Sequence, residues 1–150
     1  AFNITPNDTV IGIAASGTTP YVIGALKAAR EFGCLTAGIC SNPDAPIAEV
    51  AEIGIVMVVG PEYVTGSSRM KSGTGQKLIC NMITTSVMIK MGRVKGNKMV
   101  NMQLSNAKLV DRGTRMVVEE LGLPYDEAKR LLLLHGQVKA AVDAYRSNNK

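Results

Sequence analysis

Two stretches of the chain gather the residue types that hold anions. GPEYVTGSSRMKSGTGQK, Gly60 to Lys77, carries five hydroxyls (Thr65, Ser67, Ser68, Ser72 and Thr74), four glycines and the cations Arg69, Lys71 and Lys77. AASGTTP, Ala14 to Pro20, sets Ser16, Thr18 and Thr19 around Gly17. Hydroxyls donate to anionic oxygens, and glycine lets the backbone come close. Arg offers a planar fork that matches phosphate oxygens, whereas Lys offers a mobile point charge. Hydrogen bonds to a charged group contribute roughly 1.5–3 kcal/mol each, against about 1 for a neutral pair. Several hydroxyls with Arg69 or Lys71 therefore suffice to hold a phosphate. The plainer reading of each stretch is a helix start: Thr19 caps before Pro20 in one, and Ser67 or Ser68 caps in the other while the cations face water. Two such loops on one sheet shift the balance toward an anion.

The elements that must position these loops follow from pattern. DTVIGIAA, residues 8–15, reads as a strand buried on both faces, as in parallel sheets. PYVIGALKAAREFG then reads as a helix with Pro20 at its first position and Gly33 at its stop. LTAGICS (35–41) is a second strand and NPD a turn; Pro46 opens a short helix, APIAEVAE, and GIVMVV (54–59) is a third strand. Strand–helix–strand–helix–strand with short connections implies right-handed crossovers and a parallel sheet. A loop at the carboxyl end of such a strand, opening a helix whose N-terminus carries free N–H groups and partial positive charge, is where α/β sheets bind ligands. A long helix from about Gly73 to Met91 follows, with Leu78, Met82, Thr85 and Ile89 on one stripe and Ile79, Ile83 and Met88 beside it, so it is expected to be mostly buried. GRVKGNKMV reads as a polar connection. Three helices complete the chain, over Asn106–Leu121, Tyr125–Leu134 and Gln137–Tyr145, punctuated by Gly122–Pro124 and Gly136. Three strands are few for this pattern, since open doubly wound sheets usually carry about five or six.

Bulk composition excludes several classes. At 150 residues with 46% apolar and 19% charged residues, the chain has enough material for a core and is not disordered. No apolar run reaches the roughly 20 residues of a membrane span, and AFNITPND reads as neither a signal nor a transit sequence. The absence of an initiating Met suggests that Ala1 is not the natural start. Cys34, Cys40 and Cys80, three with no CxxC pair, point to reduced thiols and a cytoplasmic protein. The net charge of +5 is uneven: residues 69–115 hold ten cations against one anion, Asp111. That segment calls for an anionic partner or a solvated face, but it contains no aromatic residue to stack bases, which argues against single-stranded nucleic acid.

Other chemistries find little footing. GIAASGTT comes close to a phosphate-binding loop of nucleotide hydrolases, but Thr18 stands where that motif needs Lys, and no GxGxxG is present. His135, the only His, follows the apolar run Leu131–Leu134 and reads as structural or surface. Cys40 reads as core, and Met82, Met88, Met91, Met99 and Met102 read as packing. No His/Cys/Asp/Glu cluster has metal-ligand spacing. Glu62 is the acid nearest the hydroxyl loop and reads as a cap or as solvated.

The long stretch closely resembles the signature G-P/A-E-x-x-T-G-S-S/T-R-M-K-x-G-T-x-x-K of the N-acetylmuramic acid 6-phosphate etherases, a family that shares its SIS (sugar isomerase) fold with the glucokinase regulatory proteins. VIGIAASGTTPYVIGAL resembles that family's second phosphosugar loop, GNKMVNMQLSNAKLVDRGTRMV the segment after its long helix, and the terminal helices its C-terminal helical subdomain. The resemblance covers nearly the whole chain. It implies an α/β, three-layer parallel-sheet SIS-type fold, here with its later strands only: residues 1–105 as the second half of a sugar-phosphate-binding domain and residues 106–150 as a small helical subdomain. It also implies cleavage of the D-lactyl ether of N-acetylmuramate 6-phosphate to N-acetylglucosamine 6-phosphate and D-lactate, in recycling of cell-wall sugar. The chemistry is elimination of lactate and addition of water, without metal or organic cofactor. The implied partner is a phosphorylated amino sugar, with no nucleic acid and no membrane, and the implied assembly is a homodimer. By position, Ser16, Gly17 and Thr18 match the second phosphosugar loop; Ser67, Ser68, Arg69 and Lys71 match the signature loop, as ligand contacts or supports. The family's members run to about twice this length. Their first half carries two further strands, a first phosphosugar loop and the two catalytic glutamates, so this segment alone is expected to be inactive. A non-catalytic sugar-phosphate sensor is the alternative, and a nucleic-acid module using the basic segment a weaker one.

Overall fold

The computed structural model describes residues 3–149; Ala1, Phe2 and Lys150 lie outside the described residues, as does the reading of Ala1 as an internal start. The chain divides into two units, residues 1–83 and 84–150. In the first, β1 (Thr9–Ile13), α1 (Pro20–Glu31), β2 (Leu35–Cys40), α2 (Pro46–Val50) and β3 (Ile53–Val56) alternate as the sequence predicts. The strands form a parallel sheet in the order β1-β2-β3. Pro20 opens α1, and Gly33 follows its last turn, with the Cys34 and Gly33 N–H groups donating back to Ala29 and Arg30.

Three glycines decide how closely the helices sit on this sheet. Gly12, Gly38 and Gly54 are register partners across the three strands. A Cβ at Gly12 would lie 2.7 Å from Val22, one at Gly38 2.4 Å from the Ile47 carbonyl oxygen, and one at Gly54 2.9 Å from the Ala48 carbonyl oxygen. This row of bare backbone lets α1 and α2 lie against the strands, and Leu26 and Ile47 become fully buried in the core they share with Ala14, Cys40, Ala45 and Ala51. The expectation that the first strand is buried on both faces is not met. β2 takes the centre, and β1 lies at the edge with Ile11 and Ile13 about two-fifths exposed; a strand with one neighbour keeps one side open.

α3 (Lys71–Lys90) is the long helix of the sequence reading and begins two residues earlier than expected. Its expected burial is corrected. Ser72 is its one buried residue, while Leu78, Met82 and Ile89 are more than half exposed. Its apolar residues are spread around much of its circumference, so burying them requires neighbours on several sides, and the described residues do not supply them.

In the second unit the segment read as a polar connection is a hairpin, β4 (Val94–Lys95) and β5 (Lys98–Met99), antiparallel with Val94 opposite Met99. Gly96, at φ +60°, supplies the left-handed conformation that a two-residue turn needs, and Gly-Asn is itself a hairpin signal that the charged flanks obscured. α4 (Ala107–Leu121), α5 (Tyr125–His135) and α6 (Val138–Asn148) follow within a few residues of expectation. Asn106 caps α4 by accepting the Leu109 N–H at 2.9 Å, and Gly122 and Gly136 end α4 and α5 in left-handed conformation. Met116, Val117, Ala128, Leu132, Ala141 and Val142 form the helical core, which Val100 and Met102 join from the segment after the hairpin.

Candidate functional site

A cleft of about 580 Å³ opens at the carboxyl ends of the strands in the first unit, lined by the loops after β1, β2 and β3 and by Ser72 at the start of α3. The loop after β1 is the more tightly determined. Gly17 adopts φ +72°, and a Cβ there would lie 2.4 Å from that of Ala45 and 3.1 Å from the Cys40 Cβ and the Ile47 Cγ2. Its N–H donates to Ala14 and its carbonyl accepts the Ile47 N–H, both at 3.0 Å. Gly17 is thus a buried pivot that binds the loop to α2, while Ser16 and Thr18 stand above it with more of their surface open. The Ser16 Oγ accepts from the Thr18 N–H at 3.3 Å and from the Thr18 Oγ1 at 3.0 Å. Thr19 occupies the N-cap position by its backbone, its carbonyl accepting from Val22 and Ile23, but its side chain makes no capping bond. Ser16 and Thr19 line the cleft; Gly17 and Thr18 do not.

The second loop departs from the plain capping reading in one respect. The cap of α3 is Glu62, not a serine: its carboxylate accepts the Lys71 N–H and the Ser72 N–H, each at 3.0 Å. These two backbone bonds hold the Glu62 carboxyl below the usual carboxylate range, which suits a cap and not a proton donor. Lys71 directs its Nζ to the Pro61 carbonyl at 2.7 Å and braces the loop. Ser67 and Ser68 line the cleft with Thr65, whereas Arg69 and Lys71 do not. The structure thus brings together Ser16, Ser67 and Ser68 of the expected residues and leaves the two cations outside the lining. Glu62 is the only charged residue among those lining the cleft. The α3 N-terminus already holds an anion, and the N-terminus of α1 is the end with positive potential to offer.

Sequence reasoning passed over Ser41 and Asn42 as cleft residues; Thr65 and Ser72, counted among the hydroxyls of the second stretch but not assigned to the site by resemblance, line the cleft as well. Ser41 and Asn42 had a usable signal, since they follow a parallel strand at the end where ligands gather, but Ser41 was read as strand and Asn42 as part of the NPD turn. The Asn42 Nδ2 donates to the Ser16 carbonyl at 3.2 Å and joins the first two loops. Cys40 is fully buried, as expected of core. His135 is the last residue of α5 in the second unit, far along the chain from the cleft loops.

The second unit has a smaller cavity, about 310 Å³, between the hairpin and α4 and α6. Its rim pairs Lys95 with Glu120 at 2.6 Å, Arg146 with the same carboxylate at 3.3 Å, and Lys98 with Glu119. Part of the basic segment is thus neutralised within the unit, and Glu120 is held below the usual carboxylate range chiefly by the Lys95 ammonium.

A protein of Bacteroides fragilis named N-acetylmuramic acid 6-phosphate etherase is 76% identical over 145 residues, covering 97% of this chain and 52% of its own length. Proteins of the same name from Bacteroides thetaiotaomicron and Porphyromonas gingivalis are 67% and 64% identical, over 98% and 95% of this chain and 53% and 52% of their own. The chain spans about half the length of these relatives. A solved structure described as that of an hypothetical protein aligns with a TM-score of 0.48 at 19% identity, over 61% of this chain and 53% of that one. The family model described as SIS domain matches residues 1–86, the part that carries the parallel sheet and both cleft loops, and the chain belongs to the SIS domain family.

Proposed function

We propose that this chain supplies the later half of a sugar-phosphate site in an etherase that cleaves the D-lactyl ether of N-acetylmuramate 6-phosphate, yielding N-acetylglucosamine 6-phosphate and D-lactate. The observation that carries the reading is the convergence of two hydroxyl-rich strand-to-helix loops on one cleft, in a chain 76% identical to a protein of that name. Ser16, Ser67 and Ser68 donate to the ligand, Gly17 and Thr18 shape the first loop, and Lys71 braces the second; Arg69 acts from outside the lining. The reaction is a carbon–oxygen lyase step, elimination of lactate followed by addition of water. No acid of the cleft is suited to proton transfer, because Glu62 is committed to the α3 backbone. As the family resemblance implies, the acid–base carboxylates belong to the first half of a full-length etherase, and on this reading the segment alone is inactive. The protein works in the cytoplasm as a homodimer, away from nucleic acid and membrane; no described helix is long and apolar enough to cross a bilayer.

The test is Ser16→Ala in the full-length protein, expected to weaken binding of N-acetylglucosamine 6-phosphate at least tenfold, about 1.4 kcal/mol. Unchanged Michaelis and dissociation constants would remove Ser16 from the site. The engaged state of Glu62 also favours a second reading, a sensor that binds sugar phosphate without turnover; phosphosugar binding by the full-length protein with no lactate released would select it.

A further inference from the structure

One group in the cleft is left without a partner by the first two loops. Ser41 directly follows β2 with 7% of its surface exposed, and its Oγ is buried with no hydrogen-bond partner. The other such atom among the described residues, Gln76 Nε2, belongs to a side chain that does not line the cleft. A buried hydroxyl without a partner is destabilising, and it persists here at a position with no evident packing need for oxygen. Its place is held from both sides: the Ser41 N–H donates to the Ala15 carbonyl at 2.9 Å, and the next residue, Asn42, donates to the Ser16 carbonyl. Ser41 therefore stands beside the Ser16 loop and the N-terminus of α1, a twelve-residue helix whose N-cap hydroxyl, Thr19, is also uncommitted to capping. The Glu62 carboxylate, also in the cleft lining, fills the α3 N-terminus and repels a second anion there.

We propose that Ser41 is a ligand-contacting residue whose hydroxyl donates to an anionic oxygen of the bound sugar phosphate. The inference rests on the sugar-phosphate reading of the cleft and adds a residue to it.

The experiment is calorimetric titration of the full-length protein and its Ser41→Ala, Ser41→Cys and Ser16→Ala variants with N-acetylglucosamine 6-phosphate, alongside thermal melts. Alanine removes the hydroxyl, and cysteine keeps a side chain of similar shape with a weak donor. Both Ser41 variants are expected to bind about tenfold more weakly, with melting temperatures equal to or above the parent's, because the hydroxyl has no internal partner to lose. Parent-like affinity in both Ser41 variants, with weakened Ser16→Ala, would overturn the role of Ser41 and leave the site reading standing. Parent-like affinity in all three would bring down the sugar-phosphate reading itself. Lower melting temperatures together with weaker binding in both Ser41 variants would show a structural hydroxyl and overturn the proposal. If Ser41→Ala does not fold, the Ser41→Cys result decides alone.

Discussion

Gly17→Ala tests the construction of the cleft at its pivot. Two costs act there. A non-glycine residue held in left-handed conformation loses roughly 1–2 kcal/mol, and Gly17 sits at φ +72°. The added methyl would also lie 2.4 Å from the Ala45 Cβ, an overpacking that costs roughly 1–3 kcal/mol. The expected destabilisation is therefore about 2–5 kcal/mol. Gly60→Ala isolates the first cost, since Gly60 has φ +69° and nothing within 4 Å of the place its methyl would take; it is expected to lose only about 1–2 kcal/mol. Ala45→Gly removes the obstructing methyl, so the Gly17→Ala/Ala45→Gly double variant should recover about 1–3 kcal/mol relative to additivity. Urea denaturation of the full-length protein, compared by midpoint at constant slope, measures all four. If Gly17→Ala costs no more than Gly60→Ala, or if the cycle shows no coupling, then the loop is not wedged against α2 and this account of the cleft is wrong.

The Glu62 cap predicts a pH signature. Its carboxyl is held below the usual range by the Lys71 and Ser72 N–H groups, so its stabilisation is present above the ordinary carboxylate range and lost as pH falls through the depressed value. Glu62→Gln should lower the melting temperature at neutral pH, with the gap to the parent closing in acid; a gap independent of pH would refute the charged cap. In the second unit, Asn106→Ala should cost about 1 kcal/mol by removing the α4 cap, while Asn106→Asp should hold or raise stability through the helix dipole. Equal denaturation midpoints for parent and Asn106→Ala would show that the Asn106–Leu109 bond contributes nothing.

What the sequence determined by itself was local. Strand and helix order follows from apolar runs and their period, and helix ends follow from Pro20, Asn106, Gly122 and Gly136, because a cap and the N–H it satisfies lie within one turn of chain. The two hydroxyl-rich loops were legible for the same reason: each is a continuous stretch at a strand-to-helix junction. The tertiary structure decided what depended on distant partners. Glu62 reaches the α3 N-terminus nine and ten residues ahead, and this takes capping away from Ser67 and Ser68 and turns Lys71 to a carbonyl. Ser41 joins the site because β2 lies between β1 and β3, and strand order is set by pairing across the sheet and not by neighbours in sequence. The exposure of α3 has the same origin. An apolar helix announces that it needs cover, but only the packing of other elements determines whether that cover is present.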